Sequence, residues 1–265
     1  MDVVDPIWEA QNVQIDANND KVTVDLIGTD KYYANTTLDV SKIKVIIDGE
    51  EITSTTNVTK ALSTATTLTE NRDGSIKTYG VKYTLTLSNW KETDATFEAS
   101  GRQYREYSGN TQIQIEAGTL VDESGNENEQ ATLDLGMIDI IKPEIHKVSS
   151  TKNDANKTET IVFDVIDKYF DSAQISATDT SKLTVYVDNE EAIGVTKTIT
   201  NTEDITATIN GTSKVIGKRY TLVISNFEQP RTTPVNYDRE YSDWSGDVFV
   251  QVAPETVVDE SGNTN

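Results

Sequence analysis

The sequence has no cysteine, a single histidine and only five prolines. The missing cysteine excludes a disulfide scaffold, thiolate metal sites and a cysteine nucleophile, and leaves the compartment open. His146 follows the proline at position 143 and has no serine or cysteine motif to serve, so nothing supports it as a general base. Basic residues are scarce as well: 23 Lys and Arg against 44 Asp and Glu give a formal net charge of −21. A nucleic-acid backbone or an anionic membrane would be repelled by most of such a surface, so neither is an expected partner. No apolar run is long enough to span a bilayer. The opening Met1-Asp2-Val3-Val4-Asp5 lacks the basic and apolar regions of a signal peptide. Membrane insertion is not expected of this stretch, and any export signal or wall anchor is expected outside residues 1–265.

What the chain does have is a stretch that occurs twice. Val121-Asp122-Glu123-Ser124-Gly125-Asn126-Glu127-Asn128 returns as Val258-Asp259-Glu260-Ser261-Gly262-Asn263-Thr264-Asn265, a separation of 137 residues (259 − 122). Other segments fall into register at that separation, so the chain reads as two copies of one module, residues 1–141 and 142–265. Modules of about 130 residues bury roughly two thirds of their unfolded surface and need no covalent staple.

Each module reads as a series of alternating strands. Val22, Val24 and Leu26 alternate with Thr23 and Asp25; Ile161 and Phe163 stand at the equivalent places, with Glu159 breaking the apolar face at its first position. Ile43, Val45 and Ile47 correspond to Leu183, Val185 and Val187, each run closed by a turn that tolerates positive φ, Asp48-Gly49 or Asp188-Asn189. A threonine-rich stretch follows, 58–68 and 195–209, with the composition of a peripheral strand. Tyr83, Leu85 and Leu87 match Tyr220, Leu222 and Ile224, and Ile113 and Ile115 match Val250 and Val252. Trp8, Trp90 and Phe227 are assigned to the cores. A proline precedes each first strand, at Pro6 and Pro143, which suits an edge position. About seven short strands per module, regular turn signals and no helical period predict an all-β fold of two tandem antiparallel sandwiches.

One strand has no second copy. Ala131, Leu133 and Leu135 alternate with Thr132 and Asp134 after the first octet, and no such run follows the second. The second sandwich is therefore expected to lack its last strand and to expose a sheet edge. Either the parent chain supplies that strand, the simpler expectation, or another chain donates it.

The Pro-led first strand, Asp30-Lys31-Tyr32-Tyr33 (Asp167-Lys168-Tyr169-Phe170), Tyr83-Thr84-Leu85 and the Asp-x-Ser-Gly-Asn hairpin resemble a bacterial immunoglobulin-like repeat of Gram-positive cell-surface proteins. The resemblance covers nearly the whole chain. It implies tandem immunoglobulin-like domains displayed outside the cell, at the surface or wall, as a non-catalytic stalk or adhesin with neighbouring repeats as partners. It names no ligand.

The residues offer two candidate sites. The octets supply the carboxylate and amide oxygens that calcium takes, and an immunoglobulin topology would gather Asp167, Asp259, Asp139, Asp16 and Asp20 at a junction between modules; the competing reading is a turn whose Asp and Asn bond their own main chain. Trp244, which reads as an insertion after Arg239-Glu240-Tyr241-Ser242, and Tyr237, Tyr104 and Tyr79 have no counterparts and are candidates for contact with a host glycoprotein, an immunoglobulin or a glycan. Tyr107, matched with Tyr241, reads as a shared buried tyrosine bonded to backbone. Paired carboxylates are too common here for one couple to stand out as acid and base. Lys44 and Lys82 lie opposite the apolar face, which argues against a lysine–asparagine crosslink. A binding module in its own right, or accessory domains of a secreted glycan-active enzyme, are the alternative readings.

Overall fold

The computed structural model describes residues 3–52, 58–92, 104–228 and 243–265. The chain divides into two units, Met1–Ile141 and Lys142–Asn265. Among the described residues, helix is confined to two 3₁₀ turns of three residues, Ala17–Asn19 and Val40–Lys42.

Unit 1 comprises β1 (Ile7–Asp16), β2 (Lys21–Thr29), β3 (Tyr33–Thr36), β4 (Ile43–Ile47), β5 (Glu50–Ile52), β6 (Thr59–Leu62), β7 (Thr66–Arg72), β8 (Ser75–Ser88), β9 (Gly109–Ile115), β10 (Leu120–Asp122) and β11 (Ala131–Ile138). One antiparallel sheet runs β1-β2-β8-β6, with β7 also paired to β8; a second runs β11-β9-β4-β5, and β10 pairs with β3. Strands alternate their side chains between faces, so the period of two in the sequence becomes one buried face per strand. Val22, Val24, Leu26, Leu85 and Leu87 from the first sheet meet Ile43, Val45, Ile113 and Ile115 from the second in one core, and all nine are fully buried. The result is sandwich-like. Trp8 and Trp90 are buried in it, as their apolar neighbours predict.

Unit 2 comprises β12 (Glu144–Asn153), β13 (Thr158–Ile166), β14 (Phe170–Ala173), β15 (Leu183–Val187), β16 (Glu190–Glu191), β17 (Thr196–Ile209), β18 (Thr212–Ser225), β19 (Val248–Val252) and β20 (Val257–Asp259). Its sheets run β12-β13-β18-β17 and β16-β15-β19, with β14 paired to β20. Leu183, Tyr220, Leu222 and Ile224 are fully buried, Phe163 stacks on Tyr220 with ring centroids 5.3 Å apart, and Phe227 packs half-buried against this core.

The strands outnumber the expected seven because the peripheral segments contribute short pieces. In unit 1 the threonine-rich region is broken into β6 and β7, whereas in unit 2 it is the continuous β17. Both prolines do precede edge strands, β1 and β12. The predicted turns also form with positive φ, at Asp48-Gly49 and at Asp188-Asn189, and these two-residue connections match the twist of a hairpin.

Candidate functional site

The repeated octet folds into a turn clasped by its own aspartate. In unit 1 the backbone N–H groups of Ser124 and Asn126 donate to Asp122 Oδ1, each at 2.8 Å, and Asn126 Nδ2 donates to Oδ2 at 2.6 Å. Gly125 turns the chain at φ +84°, a left-handed conformation that suits glycine. Unit 2 repeats this bond for bond: Ser261 and Asn263 N–H donate to Asp259 Oδ1 at 2.9 and 2.8 Å, Asn263 Nδ2 donates to Oδ2 at 2.7 Å, and Gly262 has φ +86°. Burial is the largest single influence on the Asp122 carboxyl and pushes its pKa up. The bonds from the Asn126 side chain and from the Asn126, Ser124 and Gly125 N–H groups together outweigh it and hold the carboxyl below the ordinary carboxylate value.

The final asparagine of each octet is a second anchor. Asn128 is buried; its Oδ1 accepts from the Leu120 N–H at 2.7 Å and the Thr119 hydroxyl at 3.2 Å, and its Nδ2 donates to the Glu116 and Glu129 carbonyls. The buried Trp8 indole N–H reaches the same Thr119 hydroxyl at 3.1 Å, across 111 residues of sequence. Asn265 Oδ1 accepts from the Thr256 and Val257 N–H groups at 2.9 and 2.8 Å, and its Nδ2 donates to the Ala253 carbonyl. Sequence reasoning assigned no role to these asparagines. Their signal was the identity of the octets at the eighth position as well as in the turn.

The acidic residues proposed for a cation fall into different settings. Asp167 and Asp259 are both buried, and their carboxylates come within 4.8 Å of each other. Asp167 Oδ1 also accepts the Tyr169 N–H at 2.7 Å. Carboxylate oxygens gathered this closely are the ligands a hard cation takes. A carboxylate has about four lone-pair sites, and the loop already takes three of Asp259's, so a cation would share that residue with the turn. Asp139 is buried near the end of unit 1 and accepts the Ser108 hydroxyl at 2.8 Å. Asp16 and Asp20 serve instead within the β1–β2 turn: Asp16 accepts from Asn19 Nδ2 at 2.7 Å and Asp20 from the Trp90 N–H at 3.0 Å. Burial raises the Asp20 pKa, and the Trp90 bond and nearby Lys91 only partly counter it.

The aromatic candidates need correction. Trp244 is not an inserted, exposed ring; it is buried in the unit 2 core and its indole donates to the Ile193 carbonyl at 3.2 Å. Its counterpart is Tyr107, which is also buried. The Tyr107 N–H donates to the Trp90 carbonyl and the Trp244 N–H to the Phe227 carbonyl, both at 2.8 Å. The glycines two residues on confirm the register, because a Cβ at Gly109 would strike the Asp48 carboxylate and one at Gly246 the Asp188 carboxylate. The match of Tyr107 to Tyr241 therefore fails. Repeated Arg-Glu-Tyr-Ser letters outweighed the exact spacing of the two glycines. The Tyr107 hydroxyl donates to the Glu92 carboxylate at 2.5 Å. Tyr79 and Tyr104 are half-buried, and Tyr237 lies outside the described residues, as do Arg239, Glu240 and Tyr241.

Beside Trp244, unit 2 carries an open groove of about 350 Å³, lined among others by Lys152, Asn153, Glu159, Phe227 and Asp243. Lys44 and Lys82 face outward and pair with Glu51 and Asp25, each at 3.3 Å. No family model matches the chain, and no curated protein matches it.

Proposed function

We propose that this chain is a non-catalytic pair of immunoglobulin-like repeats from a bacterial surface protein, serving outside the cell as stalk or adhesin. The observation that carries the reading is the duplication at the level of single bonds: two units close with the same aspartate clasp and the same asparagine anchor. Strand order supports it too. The orders β1-β2-β8-β6 and β11-β9-β4-β5 correspond to A-B-E-D and G-F-C-C′ of an immunoglobulin sandwich. Repetition of one module extends a chain without adding a reaction centre. Antiserum raised against residues 1–265 is expected to label intact cells of the organism that encodes the chain. Labelling that appears only after lysis would sink the reading.

Calcium is the candidate ion for Asp167 and Asp259. Millimolar calcium should raise the unfolding midpoint, and Asp167→Asn should abolish the rise; indifference to calcium leaves the acids as turn residues.

A second reading, recognition of a host glycoprotein or glycan, rests on the groove beside Trp244, where aromatic side chains lie among polar ones. A glycan and glycoprotein array probed with the chain tests it. Binding that survives Phe227→Ala and Lys152→Ala would place the contact elsewhere.

A further inference from the structure

The two units differ at one sheet edge, and the hydrogen-bond pattern shows which atoms are involved. In β15–β19 the Asp188 N–H donates to the Asp247 carbonyl and the Ala253 N–H to the Lys182 carbonyl. Bonded pairs alternate along an antiparallel ladder. With Leu183 opposite Val252 and Val187 opposite Val248, residues 247, 249, 251 and 253 therefore direct their backbone groups at β15. The N–H and C=O groups of Val248, Val250 and Val252 then point the other way, where among the described residues β19 has no neighbour. Unit 1 shows the same arithmetic with the edge filled. There the Asp48 N–H donates to Asn110 and the Glu116 N–H to Lys42, so Thr111, Ile113 and Ile115 face outward, and β11 lies against them with Leu133 opposite Ile113 and Ala131 opposite Ile115.

The side chains tell the same story. Ile113 and Ile115 are fully buried, while Val248, Val250 and Val252 pack only half-buried against their core. Ala131, Leu133 and Leu135 of β11 pack against the unit 1 core at this place.

We propose that the outward edge of β19 is a strand-acceptor site. Its occupant is an extended strand of a partner polypeptide, running antiparallel to β19 and carrying small or aliphatic residues at alternate positions, as β11 does. The backbone of Val248, Val250 and Val252 supplies the ladder, and the alternate aliphatic side chains cover the half-buried valines. The proposal does not depend on a surface location or on calcium.

The probe is a synthetic peptide with the sequence of residues 129–138, added to the whole chain and read by amide hydrogen exchange. The amides of Val248, Val250 and Val252 are expected to slow saturably, by about tenfold or more. A peptide with Leu133→Asp and Leu135→Asp should not slow them. Val250→Pro removes one outward N–H at an edge position that tolerates proline, and should weaken the peptide roughly tenfold while the near-UV spectrum of the chain is kept. Should a free peptide bind too weakly to saturate, the same ten residues appended after Asn265 should raise the unfolding midpoint of unit 2, read at Trp244. An unchanged midpoint, equal protection by the aspartate peptide, or protection of Val248–Val252 in a dimer of the chain without peptide would each overturn the proposal.

Discussion

β9 and β19 are the same strand in two circumstances. β9 lies between β4 and β11 and buries Ile113 and Ile115 completely; among the described residues β19 pairs with β15 alone and leaves its valines half-exposed. The difference teaches that the alternation in a strand sets which face turns inward, whereas the neighbour on its far side sets how dry that face becomes. A valine and an isoleucine at equivalent positions therefore carry different weights.

The sharpest way to break the comparison is to truncate both strands. Ile113→Ala removes a fully buried side chain and should cost unit 1 about 2–4 kcal/mol, while Val250→Ala should cost unit 2 about 1 kcal/mol or less. Urea unfolding separates the two, because Trp8 and Trp90 report on unit 1 and Trp244 on unit 2. Equal costs would mean that the β19 edge is already covered.

The anchors come next. Asn128→Ala leaves the buried Leu120 N–H without its acceptor and should cost roughly 1–3 kcal/mol. Asn265→Ala should cost unit 2 a similar amount, since two N–H groups lose their acceptor there. A silent Asn265→Ala would break the equivalence of the octets.

A smaller effect is expected in acid. The Asp122 carboxyl titrates below its unfolded value, so its contribution is intact above the ordinary carboxylate range, near pH 4, and is lost as pH falls below that through the depressed folded value. Asp122→Asn should flatten this part of the acid unfolding profile of unit 1. An unaltered profile would show that the clasp does not depend on charge.

The smallest effect is expected at Tyr220. Its hydroxyl is buried with no hydrogen-bond partner among the described residues, and burial, with Asp204 adding to it, pushes the pKa up to about 12. A raised folded pKa means that stability is whole below the unfolded value near pH 10 and is lost as pH rises toward 12. Tyr220→Phe should leave neutral-pH stability unchanged or slightly higher and remove this alkaline sensitivity. A loss at neutral pH would reveal a partner for the hydroxyl.

Much of the fold could be read from the chain because period-two alternation is a local property. Val22 to Leu26, Ile43 to Ile47 and Tyr83 to Leu87 are buried as their spacing predicts. The turns were legible for the same reason. The site was harder to read. Whether Trp244 is exposed depends on which strand end it follows, and a matching Arg-Glu-Tyr-Ser phrase hid the register that Gly109 and Gly246 carry. Asn128 and Asn265 act on a loop that folds back over eight or more residues, and such a contact has no periodic signature. The acidic oxygens of the octet served two readings equally well in the sequence; only hydrogen-bond directions show that the turn itself uses both oxygens of its aspartate.

The bond from Trp8 to Thr119 has a consequence for biosynthesis. Unit 1 cannot close until a residue 111 positions after its first tryptophan has emerged. At a translation rate of about 5–20 residues per second that interval is on the order of ten seconds. Through it β1 and β2 can pair with each other, while Val22, Val24 and Leu26 wait for Ile113 and Ile115 of the opposite sheet to cover them.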